Sequence, residues 1–122
     1  MITGAFLAES ASVVDNKLCV SGGVLYRFMV GPERFAQFVL VVLTQVETDN
    51  ADPRVDIEIW SPDGDDPRTM SFELPEAAAG GEIGFAYFGL EQYLPCDGRW
   101  VIVVTGGAGV ISLPLLVSGA PE

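Results

Sequence analysis

A short acidic loop holds Asp63, Asp65 and Asp66, which are residues of the type that bind calcium. Hard cations prefer carboxylate and carbonyl oxygens as ligands. A second oxygen-rich loop lies at 49–52, but the strand predicted over 55–60 separates the loops by roughly 20 Å at about 3.3 Å per residue, so they cannot share one ion. The acidic loop also lacks the glycine and the terminal glutamate at the positions that an EF-hand calcium loop requires. We therefore expect solvated turn aspartates and no bound metal, with these three as the candidate ligands of a calcium-dependent recognition module.

A second chemistry that the carboxylates suggest is glycoside hydrolysis. It needs two carboxyl groups about 5 to 10 Å apart across a cleft, one as acid and one as base or nucleophile. Asp56 and Glu58 meet that spacing. Residues two apart on one face of a strand always meet it, however, and a flat polar face is no cleft. The pair is therefore explained by strand alternation, and we predict no catalytic residue here.

Nucleophilic catalysis lacks its usual partner, because the chain contains no histidine to activate a serine or cysteine. The two cysteines, Cys19 and Cys96, form no CxxC pair and no zinc set. With no secretory leader at the start of the sequence, we expect two free thiols in the cytoplasm rather than a disulfide. The glycine-rich segment 106–109 lacks the lysine and the following helix of a phosphate-binding loop, so no cofactor is expected.

The charge of the chain limits its partners. It has 17 acidic and 6 basic residues in 122, a net charge of −11. Nucleic acids and anionic membranes both attract clustered lysine and arginine, so neither partner is expected. The segment 100–118 is uncharged and nearly long enough to cross a membrane, but Gly106, Gly107, Gly109 and Pro114 interrupt it. Two strands joined by a hairpin are the better interpretation.

The elements that position these residues are predicted to be strands. Val55, Ile57 and Ile59 alternate with acidic residues and then meet the turn at 61–64, which is typical of a strand with one buried face. Comparable segments with turn signals between them recur along the chain. The pattern predicts a single domain, 1–122, that is all-β, with seven to nine strands in an antiparallel, Ig-like β-sandwich. A small barrel is the alternative.

One predicted strand differs from the others, because the segment 38–43 is apolar on both faces. In a two-layer domain, one face of the strand meets the opposite sheet, and the other must lie under a loop, a short helix or a partner subunit. We expect self-association through this strand, with Phe38, Leu40 and Val42 as the interface residues. Cover by a loop of the same chain is the alternative.

The order of several segments resembles a family of small uncharacterised bacterial proteins, a domain of unknown function found often in actinobacteria. The likeness covers most of the chain, and its segments are 5–9, 13–18, 22–23, 38–43, 55–59 with 62–64, 94–95 with 98–100, and 113–115. Cys96 and the glycines at 106–109 depart from the polar turn residues usual in that family. The resemblance implies a β-sandwich and supplies no activity, so no functional residue is carried over.

Together these observations predict a cytoplasmic, non-catalytic binding or assembly module that forms homo-oligomers or binds another protein. A sugar-handling or hydrolytic enzyme that uses acidic residues is the alternative from another class. Two carboxylates converging in a deep pocket would favour that alternative. A calcium-dependent recognition module is the third candidate, and a rise in melting temperature with calcium would favour it.

Overall fold

A computed structural model describes residues 2–45, 54–74, 83–106 and 109–119. Within these ranges the chain forms ten β-strands and no helix. The strands are β1 (Ile2–Ala8), β2 (Ser10–Val14), β3 (Lys17–Ser21), β4 (Arg27–Val30), β5 (Phe35–Gln45), β6 (Arg54–Trp60), β7 (Arg68–Glu73), β8 (Ile83–Tyr93), β9 (Gly98–Gly106) and β10 (Gly109–Gly119). The all-β class is thereby confirmed.

The strands form a sandwich of two sheets and a separate hairpin. The smaller sheet has the order β1-β5-β8 and the larger sheet the order β4-β10-β9-β6-β7, while β2 pairs with β3 alone. All pairs are antiparallel except β10 with β4, which run parallel. In the part of the chain that the structure describes, neither sheet closes into a barrel. The β-sandwich prediction is confirmed, and the barrel alternative is set aside.

The strand count exceeds the predicted seven to nine because two segments that look continuous in the sequence are broken. The first extended segment divides at Glu9, whose amide donates a hydrogen bond to the Ser21 carbonyl at 3.1 Å. The return segment divides after Gly22, which has a φ of +69°. A side chain is strained in that left-handed region, so glycine suits the bend that separates β3 from β4.

The core lies between the two sheets and follows from the alternation of each strand. In β6 the buried residues Val55, Ile57 and Ile59 face inward, as predicted. Across the core, Phe72 of β7 stacks on Phe88 of β8, with ring centroids 4.7 Å apart. Burying one large apolar side chain stabilises the fold by about 1.5 to 3 kcal/mol. The sandwich is therefore held by inward residues that both sheets contribute.

The strand β5 is apolar on both faces, and its outward face is covered in part by the same chain. Val41 points away from the core and is still fully buried. Its partner across the sheet is Phe6. The loop at Gly23 packs closely over this position: a Cβ atom built on Gly23 would lie 3.3 Å from the Phe6 ring and 3.7 Å from the Ala8 Cβ atom. The hairpin strand β2 also contacts β5. The outward side of β5 is thus partly covered by a hairpin and loop of the same chain, while Leu43 near its end stays exposed.

Candidate functional site

The acidic loop lies in the connection between β6 and β7, where it borders a cavity of about 210 Å³. The lining residues are Ile59, Ser61, Asp63, Asp65, Asp66, Arg68, Pro95, Cys96 and Trp100. The Arg68 guanidinium stands over the Trp100 ring, 5.7 Å from its centroid. The indole Nε1 of Trp100 donates a hydrogen bond to the Cys96 carbonyl at 3.0 Å. These contacts join the cavity wall to the core.

The carboxylates of this cavity do not converge on one point. Within the described ranges, no three His, Cys, Asp or Glu side chains lie close enough together to hold a metal ion. The loop thus brings Asp63, Asp65 and Asp66 to one cavity but not into a ligand set. The other oxygen-rich loop, 49–52, lies outside the described residues.

The two thiols lie in different surroundings. Cys19 is exposed on β3, Cys96 is half-buried beside the cavity, and both are free. Burial and the neighbouring Asp63 carboxylate raise the pKa of the Cys96 thiol above its ordinary value. A raised pKa keeps the sulfur protonated at neutral pH, whereas a nucleophilic cysteine needs a lowered one. The environment of Cys96 therefore works against thiolate chemistry.

The strand carboxylates Asp56 and Glu58 point outward from β6 onto the open side of the larger sheet. Asp56 accepts a hydrogen bond from the Ser71 hydroxyl at 2.6 Å and lies 3.4 Å from the Arg54 Nε atom. These neighbours stand on a sheet surface, so the carboxylates do not face each other across a cleft. The arrangement gives no support to an acid and base pair for sugar hydrolysis.

The predicted interface residues lie inside the protein. Phe38, Leu40 and Val42 are only 2%, 0% and 0% exposed. They face the larger sheet of the same chain and belong to the core. Their burial is provided within the chain, so these side chains offer no free surface to a partner. The exposed apolar surface of the protein lies elsewhere.

One part of that surface is the outward side of the larger sheet, which we call the outer face; Phe35, Tyr87 and Tyr93 are exposed on the smaller sheet. The middle row of the outer face consists of Pro114, Val101 and Trp60, directly opposite one another on β10, β9 and β6. Trp60 is 39% exposed and Pro114 is exposed, while Val101 between them is half-buried. Side chains opposite one another on neighbouring strands are about 4.5 to 5.5 Å apart at Cβ. The row is therefore a continuous apolar strip across three strands.

Charged rows flank this apolar strip on opposite sides. On one side Arg27, Leu116 and Arg99 align across β4, β10 and β9. On the other side Val103 aligns with Glu58. A further row places Val110, Thr105, Asp56 and Ser71 in line, and the next sets Arg54 opposite Glu73.

The outer face is electrically balanced, unlike the chain as a whole. Three arginines and three carboxylates point outward from its strands: Arg27, Arg54, Arg99, Asp56, Glu58 and Glu73. The chain has only six bases and a net charge of −11. Half of its positive charge is thus on this one surface, with the basic row and the Asp56 and Glu58 rows on opposite sides of the apolar strip.

The sequence carries a signal for this surface in the strand β9. The run from Trp100 to Val104 is apolar at every position, so it cannot alternate between a buried and a polar face. A strand with this composition has apolar side chains on both of its sides, so it predicts an apolar outer side for β9. Among the described residues, no helix is long and apolar enough to cross a membrane.

Comparison of the chain with protein-family models and with curated proteins finds no match in either. The resemblance to a bacterial family of unknown function therefore stays a prediction.

Proposed function

We propose that the protein is a non-catalytic binding or assembly module of the cytoplasm, and that the outer face is its binding surface. The observation that carries this proposal is the apolar row of Pro114, Val101 and Trp60, which crosses three strands in contact with solvent. Single exposed apolar side chains are common on proteins and need no explanation. A contiguous apolar patch bordered by charged residues is typical of an interaction site.

The shape of the surface favours a macromolecular partner. Small-molecule sites are concave and enclose most of the ligand, whereas this site is the open side of a five-stranded sheet. An exposed tryptophan beside arginines is also the composition that is enriched at protein interfaces. Trp60 lies in the apolar strip, and Arg99 lies one row away from it.

Site-specific photo-crosslinking in cells tests the proposal. A photoreactive residue replaces Val103 on the outer face, and a matched variant carries it at Val13, which is 48% exposed on the β2–β3 hairpin. We expect discrete crosslinked products from position 103 and none of the same mass from position 13. If position 103 gives no products, or only those that position 13 also gives, the outer face is not a binding surface and the proposal fails.

A further inference from the structure

We infer that the partner on the outer face is a second copy of this chain, bound face to face about a two-fold axis. This inference rests on the proposed function, because it identifies the occupant of the same surface. The first argument for it is charge. Two copies of a protein with a net charge of −11 repel each other. The outer face, with three arginines and three carboxylates, is a surface on which two copies can meet without bringing net negative charges together.

The second argument is the order of the rows, which is self-complementary. A two-fold axis that runs along the apolar row, in the plane between two such faces, exchanges the row above the strip with the row below it. Arg99 of one copy then lies opposite Val103 of the other, one strand away from Glu58. Neighbouring strands are about 4.8 Å apart, so the guanidinium can reach that carboxylate. In a two-fold dimer the contact forms twice.

The third argument is area. Five strands at about 4.8 Å spacing, and about four rows of outward residues at roughly 6.7 Å, give a surface of roughly 600 Å² before side-chain relief is counted. A stable interface of standard size buries about 800 Å² on each partner. The apolar centre excludes water and the charged rows lie around it, which is the usual arrangement of such an interface. The outer face is thus of the right order of size for a dimer.

Charge reversal with complementation tests the inference, with mass measured by sedimentation velocity between 5 and 200 µM. The wild type is expected at about twice 13.0 kDa. Arg99→Glu and Glu58→Arg should each weaken the dimer by at least about tenfold, because each places like charges opposite each other twice. Mixing the two variants should restore it, since the new carboxylate at 99 meets the new guanidinium at 58, and the unchanged pair meets as before.

Matched controls carry the same changes in charge away from the outer face. Lys17→Glu on β3 alters net charge as Arg99→Glu does, and Glu33→Arg in the turn before β5 matches Glu58→Arg. Both should leave the dimer mass unchanged, and circular dichroism should show that all four variants are folded. If the single variants stay dimeric, or if their mixture stays monomeric, the proposed pairing is overturned.

The same experiments separate this inference from the proposed function. A wild type that is monomeric at 200 µM overturns the second copy as partner. If the photoreactive residue at 103 then still traps a different protein, the proposed function stands without it. A further readout is acrylamide quenching of fluorescence, since Trp60 is 39% exposed and Trp100 only 2%. Quenching should fall as concentration rises through the dimer range, and constant quenching in a dimeric sample would show that Trp60 is not covered.

Discussion

Replacing Leu40 by alanine should remove much of the stability of the sandwich. Its side chain is fully buried and lies between Leu7 and Phe88 in the same row of the smaller sheet, with the larger sheet above it. Leu→Ala changes in cores cost about 2 to 5 kcal/mol, and more where the surroundings cannot collapse. With neighbours on both sides, we expect about 3 kcal/mol. For a chain of this length, that lowers the melting temperature by roughly 12 °C.

Leucine to alanine at position 43 is the matched control, because Leu43 lies on the same strand but on the opposite face. It is 37% exposed, so its loss should cost about 1 to 2 kcal/mol, less than the loss at Leu40. Urea unfolding followed by circular dichroism measures both variants at two protein concentrations. Equal losses for the two would refute the assignment of the inward face of β5. If the loss in free energy of unfolding for Leu40→Ala became smaller at the higher protein concentration, a partner rather than the chain itself would bury this residue.

Two further predictions follow from pKa shifts. The Arg34 guanidinium donates a hydrogen bond to Asp97 at 2.7 Å, and together with a hydrogen bond from the backbone N–H of Gly119 it lowers the pKa of that carboxyl. A carboxyl whose pKa is lowered in the folded state stabilises the protein fully at pH values above its unfolded pKa of about 3.9. This contribution is lost as the pH falls through the pKa of the folded state. The difference in melting temperature between wild type and Asp97→Asn should therefore narrow below about pH 4, and a constant difference would contradict it. Because burial and Asp63 raise the pKa of Cys96, it should react with Ellman's reagent at pH 8 more slowly than exposed Cys19. Equal rates for the two thiols would argue against that environment.

Local patterns predicted the parts of the fold that depend on neighbours in sequence. The alternation in β6 gave its buried face correctly, and the turns after β6 and β9 gave two hairpins. The long-range pairs were not accessible in this way. Alternation shows which face of a strand is buried, but it does not say which strand lies beside it. Nothing local in β5 identifies β1 and β8 as its neighbours.

A related ambiguity explains why the sequence predicts the wrong residues for the interface. A strand that is apolar on both faces shows that both need cover, but not which face the core takes. For β5, the predicted interface fell on Phe38, Leu40 and Val42, which the core uses. For β9, the continuous apolar run predicts a hairpin strand but does not say which of its sides faces solvent, and the structure places Val101 and Val103 on the outer face. Only the packing of the two sheets resolves these choices.

The position of β10 makes the larger sheet depend on a pairing between distant parts of the chain. It follows every other described strand along the chain, yet it lies inside the sheet, between β9 and β4. Its parallel pairing joins Arg27 to Leu116, about 90 residues later, and closing a loop of that length costs about 4 kcal/mol of chain entropy. β4 has no other neighbour in this sheet, so it cannot dock there before β10 is in place. The row that carries Arg27 is therefore built by residues far apart in the sequence, and it exists only when this long loop is closed.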